Sequence, residues 1–318
     1  MSAYPCWAED LGHGIHAVDT GFHRPRFDAA YLLVQDRRAA FIDTGTHFAV
    51  PRLLGLLDRL GLPRDAVDHV IPTHVHLDHA GGVGALMQAL PAATLWVHPR
   101  GARHMIDPGQ LWQGALAVYG AEEMARSYGS LLPVPAERVR ATADDSVITL
   151  AGRALHVAHT PGHARHHHCL WDEVSRGWFA GDTFGLSYRE FDTTRGAWIM
   201  PTSTPVQFEP QALRASIERL LACDPACMYL THYSRVTDVP RLGALLLDLL
   251  DGMVAIARGA PPGPARHAAM KDAMLGLFAD SLAEHGCTVS ADALRELLAM
   301  DVELNAQGLA IWLDKAFG

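Results

Sequence analysis

Between Thr73 and Gly82 the chain reads Thr-His-Val-His-Leu-Asp-His-Ala-Gly-Gly, which places His74, His76, Asp78 and His79 within six positions. Four polar, metal-binding side chains packed so closely are wasteful in a core. They make sense where a divalent cation must be gripped from several sides. Three later segments carry the same kind of donor: Thr160-Pro161-Gly162-His163, Gly181-Asp182-Thr183 and Thr231-His232. The candidate donors are therefore His74, His76, Asp78, His79, His163, Asp182 and His232. A pair of cations needs about four to five donors each, with a position left open for water. Imidazole and carboxylate suit zinc, iron or manganese; no cysteine is placed to join them, so soft-metal chemistry is not indicated.

The elements that must position these residues can be read from hydropathy and punctuation. Ile15–Val18, Ala30–Val34 and Ala39–Ile42 are short apolar runs bounded by Gly, Asp and Arg, as strands are. Val50–Leu60 carries leucines at helical spacing and stops at Gly61. Val67–Pro72 is a further strand-like run, and the His-rich motif follows it directly, on the loop at a strand's carboxyl end where α/β folds keep their chemistry. A helix over Val83–Leu90 and a strand over Thr94–Val97 follow, and 99–130 read as helical and irregular. Strands over Ser146–Leu150 and Ala154–Ala158, joined like a hairpin, lead to His163. Strands over Cys169–Asp172 and Trp178–Phe179 lead to Asp182, and after a helix over Gln211–Leu221 the run Met228–Leu230 delivers His232. Strand, then a loop holding His or Asp, is the recurring pattern, so four strand ends aim donors toward one place.

From Pro240 onward no strand signals remain. Leu242–Ala257 is an apolar helix, Ala260-Pro261-Pro262-Gly263-Pro264 breaks it, and two or three helices follow. Met270, Met274, Leu277 and Leu282 form one stripe, and Leu294, Leu297, Leu298 and Val302 the next. The expected division is a catalytic domain over 1–239 and a helical extension over 240–318 that packs as a bundle and could cap the active site. His166–His168 read as loop-to-strand residues. His13, His23, His47, His98 and His104 lack motif support and read as surface groups or as groups a layer behind the site.

Composition sets the outer bounds. The chain has 318 residues, 49% hydrophobic and 19% charged, with a net charge of −9. These are values of a globular protein, and the acidic balance without a basic stripe disfavours a nucleic-acid partner. No apolar run of membrane-spanning length and no signal-peptide pattern is present, so neither a membrane partner nor secretion is expected. Five cysteines (Cys6, Cys169, Cys223, Cys227, Cys287) without a CxxC pair read as reduced thiols of a cytoplasmic protein. A homodimer is compatible with the sequence, but no feature demands one.

The motif set, in this order, resembles the metallo-β-lactamase-fold hydrolase superfamily over about residues 10–235. The resemblance implies an α/β fold, a four-layer αββα sandwich with two metals at one edge between the sheets, here followed by a C-terminal all-helical extension. Carried over by motif position, His74, His76 and His163 would hold one metal, Asp78, His79 and His232 the other, and Asp182 would bridge them. Asp43, in Phe41-Ile42-Asp43-Thr44-Gly45, matches the family's early Asp-x-Gly element and would orient the site from behind the ligands. The implied chemistry is attack by a hydroxide shared by two divalent ions, most simply zinc, with iron or manganese as alternatives. Asp78 would also take a proton during turnover, and Asp182 would serve catalysis through both metals.

Among the branches of this family, the best-known β-lactamases place a cysteine at the Asp182 position, and the flavin-partnered diiron proteins place Glu at that of His76. Glyoxalase II-type thioesterases share the motifs and end in helices. Quorum-signal lactonases keep a tyrosine three residues after the bridging Asp, where this chain has Gly185, with Tyr188 and Tyr233 as imperfect substitutes. The expectation is a dinuclear hydrolase of a small-molecule ester, thioester or lactone. The alternatives are an iron enzyme of oxygen or sulfur redox chemistry, similar to persulfide dioxygenases, and a regulatory protein with a vestigial site. The substrate-binding residues are unassigned by any motif; selectivity is expected from Phe184–Gln207 and the C-terminal helices.

Overall fold

Apolar runs of β-branched and aromatic residues become strands, and they sort into two sheets in a computed structural model that describes residues 5–317. The first sheet comprises β1 (Ala8–Asp10), β2 (Ile15–Asp19), β3 (Ala29–Gln35), β4 (Arg38–Ile42), β5 (Val67–Ile71), β6 (Thr94–Val97) and β7 (Val139–Ala141), in that spatial order. β1 to β4 pair antiparallel and β4 to β7 pair parallel. The second sheet has β8 (Val147–Leu150), β9 (Arg153–His159), β10 (His168–Asp172), β11 (Gly177–Gly181), β12 (Cys227–Leu230) and β13 (Ser234–Val236), again in sequence order across the sheet. Sequential pairing throughout is the economical topology for short connections.

The parallel half of the first sheet requires crossovers, and helices supply them. α1 (Val50–Leu60) links β4 to β5, and α2 (Leu77–Ala80) and α3 (Val83–Ala89) link β5 to β6. Between β6 and β7 lie α4 (Pro99–Ile106) and α5 (Gly109–Glu123). Leu53, Leu56 and Leu57 of α1 and Val83, Leu86 and Met87 of α3 join Leu32, Phe41, Val70 and Leu95 of the strands in one core. α1 ends where Gly61 takes the left-handed conformation at φ 63°, a C-cap that costs glycine little. Between the two sheets, Tyr31 of β3 meets Phe179 of β11 and Tyr229 of β12 edge-on at 5.3 and 5.7 Å. Its hydroxyl donates to the Leu230 carbonyl. A buried phenol needs such an acceptor, so this ring joins the sheets by packing and by a polar tie.

Packing divides the chain into two compact units. One holds the residues up to His159, His166–Gly181 and Met228–Arg235, and so contains both sheets but for the end residues Cys227 and Val236; the other holds Thr160–Arg165, Asp182–Cys227 and the chain from Val236 onward. The second unit is built on α6 (Pro210–Leu221), α7 (Val239–Gly259), α8 (Arg266–His285), α9 (Ala291–Leu297) and α10 (Ala299–Phe317). Met270, Met274, Phe278 and Leu282 form the buried stripe of α8. Phe278 therefore takes the place expected of Leu277, the buried positions recurring at every fourth residue. It meets Trp198, whose ring lies 6.0 Å away. Among the described residues, no helix is long and apolar enough to cross a membrane.

Candidate metal centre

Asp43 and Thr73 follow adjacent parallel strands, β4 and β5, so their positions coincide at one sheet edge. The Asp43 carboxylate is buried and gathers the surroundings of the His-rich motif. It accepts from the Thr73 amide at 2.6 Å, from the Thr73 hydroxyl at 3.0 Å and from the Thr231 hydroxyl at 2.8 Å, and it faces His79 Nδ1 at 2.9 Å. Its own backbone sits at φ 55°, a region that aspartate tolerates better than most residues. The early Asp of Asp-x-Gly thus ties the loops after β4, β5 and β12 to one another and fixes the His79 imidazole, a candidate donor, from behind.

The donors within the sheet unit cluster as their motifs suggest. Asp78, His79 and His232 each offer a ligand atom, all within 4.8 Å of one another. Asp78 Oδ2 lies 3.3 Å from His232 Nε2 and 3.7 Å from His79 Nε2. His74 Nε2 faces His76 Nδ1 at 2.7 Å. The far nitrogens are held: His79 Nδ1 by Asp43, and His232 Nδ1 by the Phe27 carbonyl at 2.9 Å. An imidazole whose outer nitrogen is anchored to a carboxylate or carbonyl presents its other nitrogen in a fixed direction, which is how metal-binding histidines are prepared. The residues therefore fit a divalent cation by donor chemistry and by orientation.

In the helical unit, His163 Nε2 lies 3.3 Å from Asp182 Oδ2, and His163 Nδ1 faces the Thr202 carbonyl at 3.2 Å. The Thr-Pro-Gly-His loop rests on the start of α6. The Glu209 amide donates to the Gly162 carbonyl at 2.8 Å, and the Ser216 hydroxyl to that of Pro161 at 2.7 Å. A β-carbon at Gly162 would come within 2.2 Å of the Leu213 backbone, which explains why glycine precedes the histidine. Tyr188, weighed as a stand-in for the lactonase tyrosine, is buried and donates to Asp301 Oδ1 at 3.0 Å.

Several residues without motifs surround the sheet unit's donors. Asp28 is fully buried beside them; burial pushes its carboxyl up to about 7 against the pull of His232 and His79. His168 opens β10. Its Nε2 donates to the Pro72 carbonyl at 2.9 Å, its Nδ1 receives the Thr142 hydroxyl at 2.9 Å, and its amide donates to the Thr73 carbonyl. Burial lowers this imidazole to about 4, so it is a neutral strut beneath the ligand loop. His98, buried rather than on the surface, caps α4 by accepting from the Arg100 amide, and burial takes it to about 3. Beside the donors, a cavity of about 450 Å³ is lined by Thr20, Phe22, His23, Thr46, Phe48 and Arg126 among others. Phe22 packs 5.9 Å from Phe27, which in turn packs 5.2 Å from the His232 ring.

The fold and these donor groups define a family. The model of the metallo-beta-lactamase superfamily matches residues 23–232, and the chain belongs to that superfamily. A metallo-beta-lactamase fold-containing protein of Sulfurisphaera tokodaii is 24% identical over 69% of this chain and 78% of its own length. The acyl-coenzyme A thioesterase MBLAC2 of Homo sapiens is 30% identical over 57% of this chain and 68% of its own. The crystal structure of a metallo-beta-lactamase family protein from Thermus thermophilus superposes with a TM-score of 0.68 at 20% identity. It covers 96% of this chain and 95% of that one, a likeness of fold. The fold read from the sequence, an αββα sandwich followed by C-terminal helices, is the fold observed.

Proposed function

We propose that this protein is a dinuclear metal-dependent hydrolase of a small ester, thioester or lactone, with thioesters the foremost class. The observation that carries the reading is the Asp78, His79 and His232 cluster, with both imidazoles anchored at their outer nitrogens. By motif order, His74, His76 and His163 would hold one cation, Asp78, His79 and His232 the other, and Asp182 both. Zinc fits this donor set, and iron or manganese would also be accepted. Bound cations would supply Lewis acidity for the substrate carbonyl and acidify water toward neutral pH.

The chain's own residues supply the rest. The Asp78 side chain is 24% exposed while His79 and His232 are nearly closed off, so its carboxylate is the member of the cluster able to pass a proton to solvent. Phe22 and Phe48 give the cavity apolar walls for an acyl group, and Arg126 gives it a cationic side for an anionic leaving portion, with His23, held neutral by burial, beside it. A thioesterase among the relatives supports that substrate class.

The test is metal analysis together with a hydrolysis panel of acyl-coenzyme A, acyl-glutathione, acyl-homoserine lactone and simple aryl esters. The expected result is two equivalents of metal and turnover of a thioester that chelation abolishes and metal restores. Asp78→Ala should lower kcat by about a hundredfold or more, as loss of a proton-transfer group does. Full turnover in metal-stripped protein would sink the proposal, and so would bound iron with oxygen consumption and no hydrolysis.

A further inference from the structure

The apolar face of α10 is interrupted by a polar stripe. Asp301, Asn305 and Gly308 stand at successive turns and are buried, in line with Leu298, Val302 and Leu309. Asn305 has no exposed surface. Its Oδ1 accepts from the Ser203 amide at 2.7 Å, its Nδ2 donates to the Pro201 carbonyl at 3.4 Å, and its own carbonyl receives the Ser203 hydroxyl at 3.4 Å. One turn on, a β-carbon at Gly308 would lie 2.6 Å from the Thr204 carbonyl oxygen, so the helix backbone presses directly on this loop.

The loop so gripped is the one that holds His163. The Thr202 carbonyl faces His163 Nδ1 at 3.2 Å, and the Thr204 hydroxyl donates to the His163 carbonyl at 3.0 Å. Thr202 lies between Pro201 and Ser203, both bonded to Asn305. Moving the loop therefore moves the acceptor that fixes the imidazole.

We infer that Asn305 is a positioning residue for His163: it holds the Thr202 carbonyl where it keeps the proton on Nδ1 and leaves Nε2 as the donor atom. Outer-nitrogen partners of metal-binding histidines are worth about 10–100-fold in metal affinity. The inference rests on reading His163 as a metal ligand, and it assigns the last helix of the chain a role in the metal centre. A buried amide that served only to tie α10 to the loop would lower thermal stability without favouring one metal over the other.

The experiment compares wild type with Asn305→Ala, Asn305→Asp and Thr204→Val in two-site zinc competition titrations, with the melting temperature recorded for each. The histidine tautomers of the metal-free proteins are read by long-range ¹H–¹⁵N correlation. Asn305→Ala should weaken one zinc by about 10–100-fold, leave the other unchanged, and turn His163 from the Nδ1–H form to a mixture. Asn305→Asp, which keeps the acceptor for Ser203 but loses the donor to Pro201, should show the same two changes in smaller degree. Unchanged affinity ratio and unchanged tautomer in Asn305→Ala overturn the inference. Should that variant fail to fold, the same two readouts on Asn305→Asp and Thr204→Val decide it, with no change in either variant again counting against it. Wild type that binds no zinc defeats the metal reading instead, and the tautomer comparison still decides whether Asn305 orients the ring.

Discussion

At the scale of single residues, buried histidine performs two opposite services here. His79 and His232 have their outer nitrogens tied and their inner ones directed at a carboxylate, whereas His168 has both nitrogens spent on Thr142 and Pro72. The second arrangement has a cost in acid. With its folded pKa near 4 and an ordinary value of 6.5, His168 gains a proton more readily in the unfolded chain. Its contribution to stability is complete above pH 6.5 and is lost as pH falls toward 4, a change of about 3 kcal/mol. We therefore expect the melting temperature of metal-free protein to drop steeply over that interval. In His168→Gln it should start lower at neutral pH and fall less. Parallel profiles for the two proteins would show that His168 does not titrate in this way.

The same contrast explains what could be read from the sequence at this scale. His74, His76, Asp78 and His79 announce themselves because several donors share one short stretch, and Asp43 because it matches the early Asp-x-Gly element of the family the chain resembles. His168, Asp28 and Asn305 carry no such mark. His168 and Asn305 are fixed by partners far along the chain, as Asn305 is by Ser203, and a lone polar residue in an apolar stripe does not reveal which loop it meets.

Elements show a different limit. Short, mostly apolar segments, such as those that became β2 to β6, fall where hydropathy places them, within a residue or two at each end. The strands β1, β7 and β13 were not expected. Each is three residues long and partly polar, so its pairing is set by the neighbouring strand rather than by its own composition. Motif loops are more legible because their glycines report steric demands. Gly162, at φ 136° with the Leu213 backbone against its α-carbon, is the sharpest case. Gly162→Ala should destabilise the protein by about 1–3 kcal/mol, the usual range for overpacking, since backbone rather than a flexible side chain must yield. Because the same loop carries His163, zinc stoichiometry should fall along with the denaturation midpoint. An alanine variant of wild-type stability and full zinc content would show that α6 can move aside at no cost.

For the whole molecule, donors scattered over nearly 160 positions become a single thermodynamic object once they share ions. A ligand that binds only the folded chain stabilises it by about 4 kcal/mol at a thousandfold excess over Kd, for each site. In a protein of this size that corresponds to a rise in melting temperature of roughly 5–10 °C. Chelation should therefore lower the melting temperature of protein as isolated, and added zinc should restore it saturably. The increment should shrink in His232→Ala and shrink most in Asp182→Ala, whose carboxylate is assigned to both ions. This reading separates the centre from adventitious binding to surface carboxylates, of which a chain of net charge −9 has many. Surface sites would give a small, unsaturable increment that all variants share. Equal increments in wild type, His232→Ala and Asp182→Ala would mean that the ions sit elsewhere, and the hydrolytic assignment would lose its foundation.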